Sequence, residues 1–182
     1  MRLPIHTLES APAESRPIME GIAADVGLVP NLAATAGISP ALLAGFDGLR
    51  RAVATTKLDP VLREVTGLAV GVAVDNHYGV AFHSTMLASL GVDETDIDTM
   101  RTGHAPSDDT AAAVHHLARE LVLGRGRVPD ATVATATEAG LDTEAILEIV
   151  LESTFAALVG TIDNLADHVD LDDFLTPRAW TG

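Results

Sequence analysis

The sequence predicts an all-α protein with eight or nine helices in one domain. Two pairs, Ser39-Pro40 and Asp59-Pro60, combine an N-cap residue with a first-turn proline and so mark helix starts. The segment after Pro40 shows the three- and four-residue spacing of a helix with one buried face, at Leu42, Leu43, Phe46, Leu49 and Val53. No segment alternates apolar and polar residues as a half-buried strand does.

Capping residues and stop residues place the helices in order along the chain. The first is expected over residues 14–26, and a short one over residues 31–36. The others are expected over residues 40–54, 60–73, 78–90, 94–102, 109–123, 130–139 and 143–168. Residues 1–27 then form an N-terminal segment with the first helix, residues 28–168 the helical domain, and residues 169–182 a C-terminal tail. Residues 1–13 are expected to be extended, and either to pack around a neighbouring subunit or to be loose, without fixed contacts.

Composition excludes several classes of function. The formal net charge of −15 argues against nucleic acid as a partner, since there is no basic stripe to neutralise phosphates. The chain has no cysteine, which excludes disulfides, thiolate metal sites and thiol catalysis. The longest apolar stretch, residues 145–162, is interrupted by Glu148 and Glu152, so it predicts a buried helix and not a membrane span. With no targeting segment visible, a soluble cytoplasmic protein is expected.

The most informative stretch runs from residue 62 to residue 91 and predicts two consecutive helices. On the first helix, Glu64 lies on the same face as Gly67 and Gly71. Because glycine has no side chain, this face should form a groove beside the carboxylate in which the backbone of another helix can lie close. On the second, His83 shares a face with Met86. An acid and an imidazole are thus expected on the inward faces of neighbouring helices.

These residues carry a family resemblance. The pattern LxPxxREVxxLAVxxAxxN, followed by a histidine nineteen residues after the glutamate, resembles the carboxymuconolactone decarboxylase and alkylhydroperoxidase D superfamily. The flanking segments VPNLAATAGISPALL, MRTG and EAGLDTEAILEIVLESTFAALVGTIDN agree, so the resemblance covers residues 28–165. It implies an alkylhydroperoxidase D-like helical fold in homo-trimers or hexamers.

The resemblance also separates two branches of chemistry. The peroxidase branch carries a Cys-x-x-Cys pair, and this chain has Asn76 and Gly79 at those positions. The glutamate and histidine match, as Glu64 and His83, but a thiol peroxidase needs a thiolate to attack the peroxide. The decarboxylase branch works without the pair, and there the resemblance implies acid–base chemistry on an activated carboxylate.

Each residue of this stretch also has a structural interpretation. Glu64 could pair with a nearby arginine such as Arg63 or Arg101, and His83 could be a core histidine satisfied by a backbone carbonyl or by Glu64 itself. Asn76 and His77 could be helix-cap and solvated turn residues, or could line a substrate pocket with Tyr78 and Gly79. A metal held by Glu64, His77 and His83 is conceivable, but the spacing is not diagnostic, and neither a metal nor another cofactor is expected.

Two functions from different classes follow. The first is a cofactor-independent, lyase-like enzyme in which Glu64 and His83 transfer protons during decarboxylation or isomerisation of a small carboxylate or lactone. The second is a non-catalytic binding or scaffold relative that keeps the oligomer. A pocket beside a perturbed carboxylate favours the first, and a solid core favours the second.

Overall fold

The computed structural model describes residues 1–182 and confirms the all-α prediction, with nine α-helices, one short 3₁₀-helix and no strand. The helices are α1 (Arg16–Val26), α2 (Asn31–Ala36), α3 (Pro40–Val53), α4 (Pro60–Ala73), α5 (His77–Ser89), α6 (Glu94–Arg101), α7 (Asp109–Leu123), α8 (Asp130–Glu138) and α9 (Thr143–Leu165). The 3₁₀-helix, Thr176–Arg178, lies in the C-terminal tail and has no counterpart in the sequence-based expectation.

Most helix ends agree with the caps in the sequence to within one or two residues. The carboxylate of Asp59 accepts the Val61 N–H at 2.8 Å and starts α4 at the expected place. The end of α9 differs, because the helix stops at Leu165 and not near residue 168. Asp167 and His168 adopt left-handed backbone angles there, with φ of 61° and 63°, which no α-helix tolerates.

Helix α4 lies at the centre of the molecule and packs against α5, α6, α7 and α9. Two hydrophobic clusters form the core. One joins α4 to α7 and α9 through buried residues that include Leu68, Val114, Leu117 and Ile149. The other joins α1, α2, α3 and the start of α5 through residues that include Met19, Ile22, Leu32, Leu43 and Tyr78. Helix α5 therefore contributes residues to both clusters, whereas α4 contributes to the first.

Both terminal segments pack on the bundle. The Met1 ammonium donates to the Leu165 carbonyl at 2.9 Å, and Ala11 is buried, so residues 1–13 are not loose. In the tail, Arg101 donates to the carbonyls of Arg178 and Ala179, and the Trp180 indole N–H donates back to the Arg101 carbonyl at 3.1 Å. The tail is thereby fastened to the end of α6.

By length and composition, α9 is the one helix of this structure that is apolar enough to cross a membrane. In the bundle it packs against α2, α3, α4, α5 and α7.

Candidate active site

Glu64 and His83 meet between α4 and α5. Both side chains are buried, and His83 Nδ1 lies 2.8 Å from the Glu64 Oε2 atom. Arg63 Nε is 3.4 Å from the other carboxylate oxygen, which is a weak contact at the edge of hydrogen-bond range. Arg101, the other arginine that could have paired with Glu64, instead holds Ser84 and the C-terminal tail. The principal partner of Glu64 is therefore the imidazole.

The two glycines of α4 explain how the helices approach each other. A Cβ atom at Gly67 would lie 2.1 Å from His83 Cε1 and 2.3 Å from Nε2, so only glycine leaves room for the ring. A Cβ atom at Gly71 would lie 3.4 Å from the backbone nitrogen of Val80, which is the close backbone approach that the stripe predicted. Gly67 differs from Gly71, because it makes room for the side chain of His83 and not for a backbone.

Glu64 and His83 favour each other's charged form, as in an ion pair. Burial alone would raise the pKa of Glu64, but the hydrogen bond and charge of His83, with Arg63, outweigh it and hold that pKa below its ordinary value. Burial likewise opposes protonation of His83, but the hydrogen bond and charge of Glu64 raise the pKa of the imidazole. Since Nδ1 is occupied by Glu64 and Nε2 makes no hydrogen bond within the protein, Nε2 is the nitrogen free to exchange a proton with a ligand.

His83 lines an apolar cavity of about 430 Å³ that opens towards α1 and the tail. Its inner wall includes buried Leu32, Phe46 and Ala156, and its rim consists of the more exposed Val26, Leu28 and Phe174. The remaining lining residues are Pro30, Arg50, Tyr78, Gly79, Phe82, Met86, Phe155 and Val159. The volume lies within the range of small-molecule sites, whose walls are mostly apolar with a few polar groups.

Two polar side chains of the cavity wall are fixed by carboxylates. The Tyr78 hydroxyl donates to Asp172 of the tail, and burial together with this bond raises the pKa of the phenol, which therefore keeps its proton. The guanidinium of Arg50 contacts Asp25 at 2.6 Å and Asp47 at 2.7 Å, while its Nη1 makes no hydrogen bond within the protein. The cavity thus has preorganised polar groups on an otherwise apolar wall.

The turn residues predicted to bind substrate divide into two groups. Tyr78 and Gly79 line the cavity, whereas Asn76 and His77 are not among its lining residues. Asn76 is fully buried and caps α5 by accepting the Gly79 N–H at 2.8 Å. His77 stacks on His168 with ring centroids 3.6 Å apart. The structure therefore gives each of these two residues a local structural contact.

A metal site built from Glu64, His77 and His83 is not formed. The potential ligand atoms that do lie within 4.8 Å of one another belong to Asp75, His77 and His168. The two imidazole planes there are parallel to within 3°, so one ion cannot lie in the plane of both rings as nitrogen ligation requires.

Sequence reasoning missed one buried acid near the pair. Glu152 of α9 is 3% exposed, and its Oε2 has no hydrogen-bond partner. Burial, and then the charge of Glu64, raise the pKa of Glu152 to about 7, while His83 and Arg63 act in the opposite direction. The sequence does contain an indication of this buried acid, because Glu152 lies inside the apolar stretch of residues 145–162. Sequence analysis interpreted Glu152 only as evidence against a membrane span.

Comparisons with solved structures identify the fold. The fold is similar to an alkylhydroperoxidase AhpD core, an uncharacterized peroxidase-related protein from Ralstonia eutropha JMP134, with a TM-score of 0.82 and 21% identity over 96% of this chain and 94% of that one. An uncharacterized peroxidase-related protein from Silicibacter sp. TM1040 gives 0.76 and 16%, covering 95% and 91%. The debrominase Bmp8, as a cysteine-to-alanine variant in complex with 2,3,4-tribromopyrrole, gives 0.73 and 15%, covering 91% and 89%. At these identities the likeness establishes an alkylhydroperoxidase D-like fold.

Residues 40–122 match the model of the carboxymuconolactone decarboxylase family, and this segment includes both Glu64 and His83. No curated protein sequence matches the chain. The resemblance stated from the sequence is thus confirmed: residues 40–122 match the carboxymuconolactone decarboxylase family, the fold is alkylhydroperoxidase D-like, and the chain has no Cys-x-x-Cys pair.

Proposed function

We propose that this protein is a cofactor-independent acid–base enzyme that decarboxylates or isomerises a small carboxylate or lactone, with His83 as the proton-transfer group and Glu64 as its partner. One observation carries the proposal: a hydrogen-bonded Glu–His pair, 2.8 Å apart, lies at the wall of an apolar cavity of ligand size.

The geometry supports a simple proton transfer. Glu64 fixes the orientation of the imidazole through Nδ1 and stabilises the imidazolium, so Nε2–H is a donor near neutral pH. In a decarboxylation, the carbon–carboxylate bond breaks, carbon dioxide leaves, and the carbanion takes the proton from Nε2. In an isomerisation, neutral Nε2 removes a proton from one carbon and returns it to another. Both reactions balance without a redox partner.

The cavity restricts the class of substrate. Eleven of its fifteen lining residues are hydrophobic, which favours a compact apolar ring or chain. Arg50 is the guanidinium on this wall, and its unpartnered Nη1 is suited to one carboxylate of the substrate. We therefore expect a compact carboxylate, with one carboxylate group at Arg50 and its ring or chain against the apolar side chains.

The test uses carboxymuconolactone, the compound that the matched family is named after, and follows its loss by ultraviolet absorbance. Glu64→Gln and His83→Asn should each lower kcat/KM by about 10²–10⁴-fold, because each removes one half of the pair. Glu144→Gln is the matched control, since Glu144 is an exposed acid paired with Lys57. Equal rates in wild type and both site variants would refute the mechanism.

A binding protein without catalysis is the second candidate, because an apolar cavity of this size can also hold a small molecule without acting on it. The debrominase of similar fold, as a cysteine-to-alanine variant, is in complex with 2,3,4-tribromopyrrole, a compact ring of the kind that this cavity admits. Saturable binding of 2,3,4-tribromopyrrole, together with no turnover of carboxymuconolactone or related lactones, would support this function over the enzyme.

The exposed apolar surface of α9 supports a proposal about assembly. The most apolar window of α9 is only 33% buried within one subunit, and Leu147 and Leu165 are exposed on it. We therefore expect a homo-oligomer, a trimer or a hexamer, in the cytoplasm. The partner of the cavity is a small molecule, and neither nucleic acid nor a membrane is expected to bind a surface with net charge −15.

A further inference from the structure

Glu152 lies on the stripe of α9 that forms one wall of the cavity. Phe155, Ala156 and Val159 are the α9 residues that line it, at three, four and seven positions after Glu152. Residues at these spacings share one face of a helix. Glu152 therefore lies on the same face of α9, one turn closer to the start of the helix and just beyond the cavity wall.

The carboxyl group of Glu152 has no donor that would stabilise an anion. Its Oε2 is buried and makes no hydrogen bond, whereas Glu148, one turn earlier, accepts the N–H groups of Lys57 and Leu58. A buried carboxylate without donors is costly, so the group keeps its proton to higher pH than an ordinary glutamate. Burial raises the pKa of Glu152 to about 7.

The charges that act on Glu152 come from the helices that carry the candidate site. Glu64 and Arg63 act from α4, and His83 acts from α5. The interaction is mutual, because the charge of Glu152 is also among the causes that raise the pKa of His83. The charges of Glu64, His83 and Glu152, on three different helices, therefore influence one another.

We propose that Glu152 is a positioning residue that acts on His83: the buried carboxylate of Glu152, when it is ionised, stabilises the imidazolium beside Glu64. Glu152 is not a lining residue of the cavity and does not reach the substrate, so it acts through His83. The use of this device in turnover rests on the proposed function, but its existence can be tested without a substrate.

The experiment is a nuclear magnetic resonance titration of the full-length protein labelled with ¹³C-histidine, with the His83 signal identified by its loss in His83→Gln. In Glu152→Gln, the titration midpoint of His83 should fall by on the order of half a pH unit or more, since a favourable negative charge is gone. Glu144→Gln removes a charge from the exposed side of the same helix and should leave that midpoint in place.

A second variant separates the loss of the Glu152 charge from a packing change caused by one particular substitution. Glu152→Leu has no polar group, and it should lower the His83 midpoint in the same direction as Glu152→Gln. An unchanged midpoint in both variants, with circular dichroism showing that each is folded, would overturn the inference. If the midpoint falls but no lactone is turned over by the wild type, the proposed reaction fails while the role of Glu152 stands.

Discussion

Replacing Gly67 by alanine tests whether the contact between α4 and α5 is built around the imidazole. The added methyl group would lie 2.1–2.5 Å from three atoms of the His83 ring, far inside van der Waals contact. Either the ring leaves its place or α4 moves away from α5. In both cases the 2.8 Å contact between His83 and Glu64 is lost.

The size of the destabilisation follows from three effects. A hydrogen bond between charged groups contributes about 1.5–3 kcal/mol to the free energy of unfolding. Forcing an extra methyl group into a packed interior costs about 1–3 kcal/mol more. The better helix propensity of alanine returns about 1 kcal/mol. Gly67→Ala should therefore destabilise the protein by about 2–5 kcal/mol.

The assay is urea unfolding followed by circular dichroism, with Gly45→Ala as the matched control. Gly45 is also inside a helix, but a Cβ atom there would meet nothing within 4 Å, so this variant should gain about 0.4–1 kcal/mol. Gly67→Ala should also return the titration of His83 towards that of an ordinary histidine. Wild-type stability and an unchanged His83 titration in Gly67→Ala would refute the packing that we describe.

Three further predictions concern charge, assembly and chemistry. The pKa of Glu152 rises from an ordinary 4.5 to about 7 on folding, and each unit is worth about 1.4 kcal/mol, so the wild type should lose about 3 kcal/mol of stability as pH rises through that window. Glu152→Gln should abolish this loss and be the more stable protein at pH 8; a difference that does not vary with pH would contradict this. Light scattering should give three or six times the 18.9 kDa mass of the chain, and a monomer at micromolar concentration would be the wrong result. A peroxide assay with a dithiol reductant should show no enzyme-dependent rate, because the chain has no cysteine; a heat-sensitive, metal-free rate would disprove it.

Local signals in the sequence were sufficient for the helices and for the central pair. Asp59 and Asn76 start α4 and α5 because their side chains accept backbone N–H groups of the first turn, and that requirement is readable from a few neighbouring residues. The meeting of Glu64 and His83 followed from the position of each on its helix and from the family pattern. Their catalytic role stays a prediction.

The cavity and Glu152 could not be predicted in the same way. Helical periodicity shows which face of α9 is apolar, but not which helix covers each turn of that face. Glu152 is buried because α9 passes behind α4 and α5, and that depends on contacts between residues far apart in the chain. Phe174 reaches the cavity rim for a similar reason, since the tail folds back to Arg101.

The docked tail also provides an optical probe of the site. Trp180 is the only tryptophan of the chain, and its indole is held at the Arg101 carbonyl. The same tail supplies Phe174 to the cavity rim and Asp172 to the Tyr78 hydroxyl. Intrinsic fluorescence excited at the indole therefore reports both release of the tail and entry of a ligand, so screening for ligands needs no label.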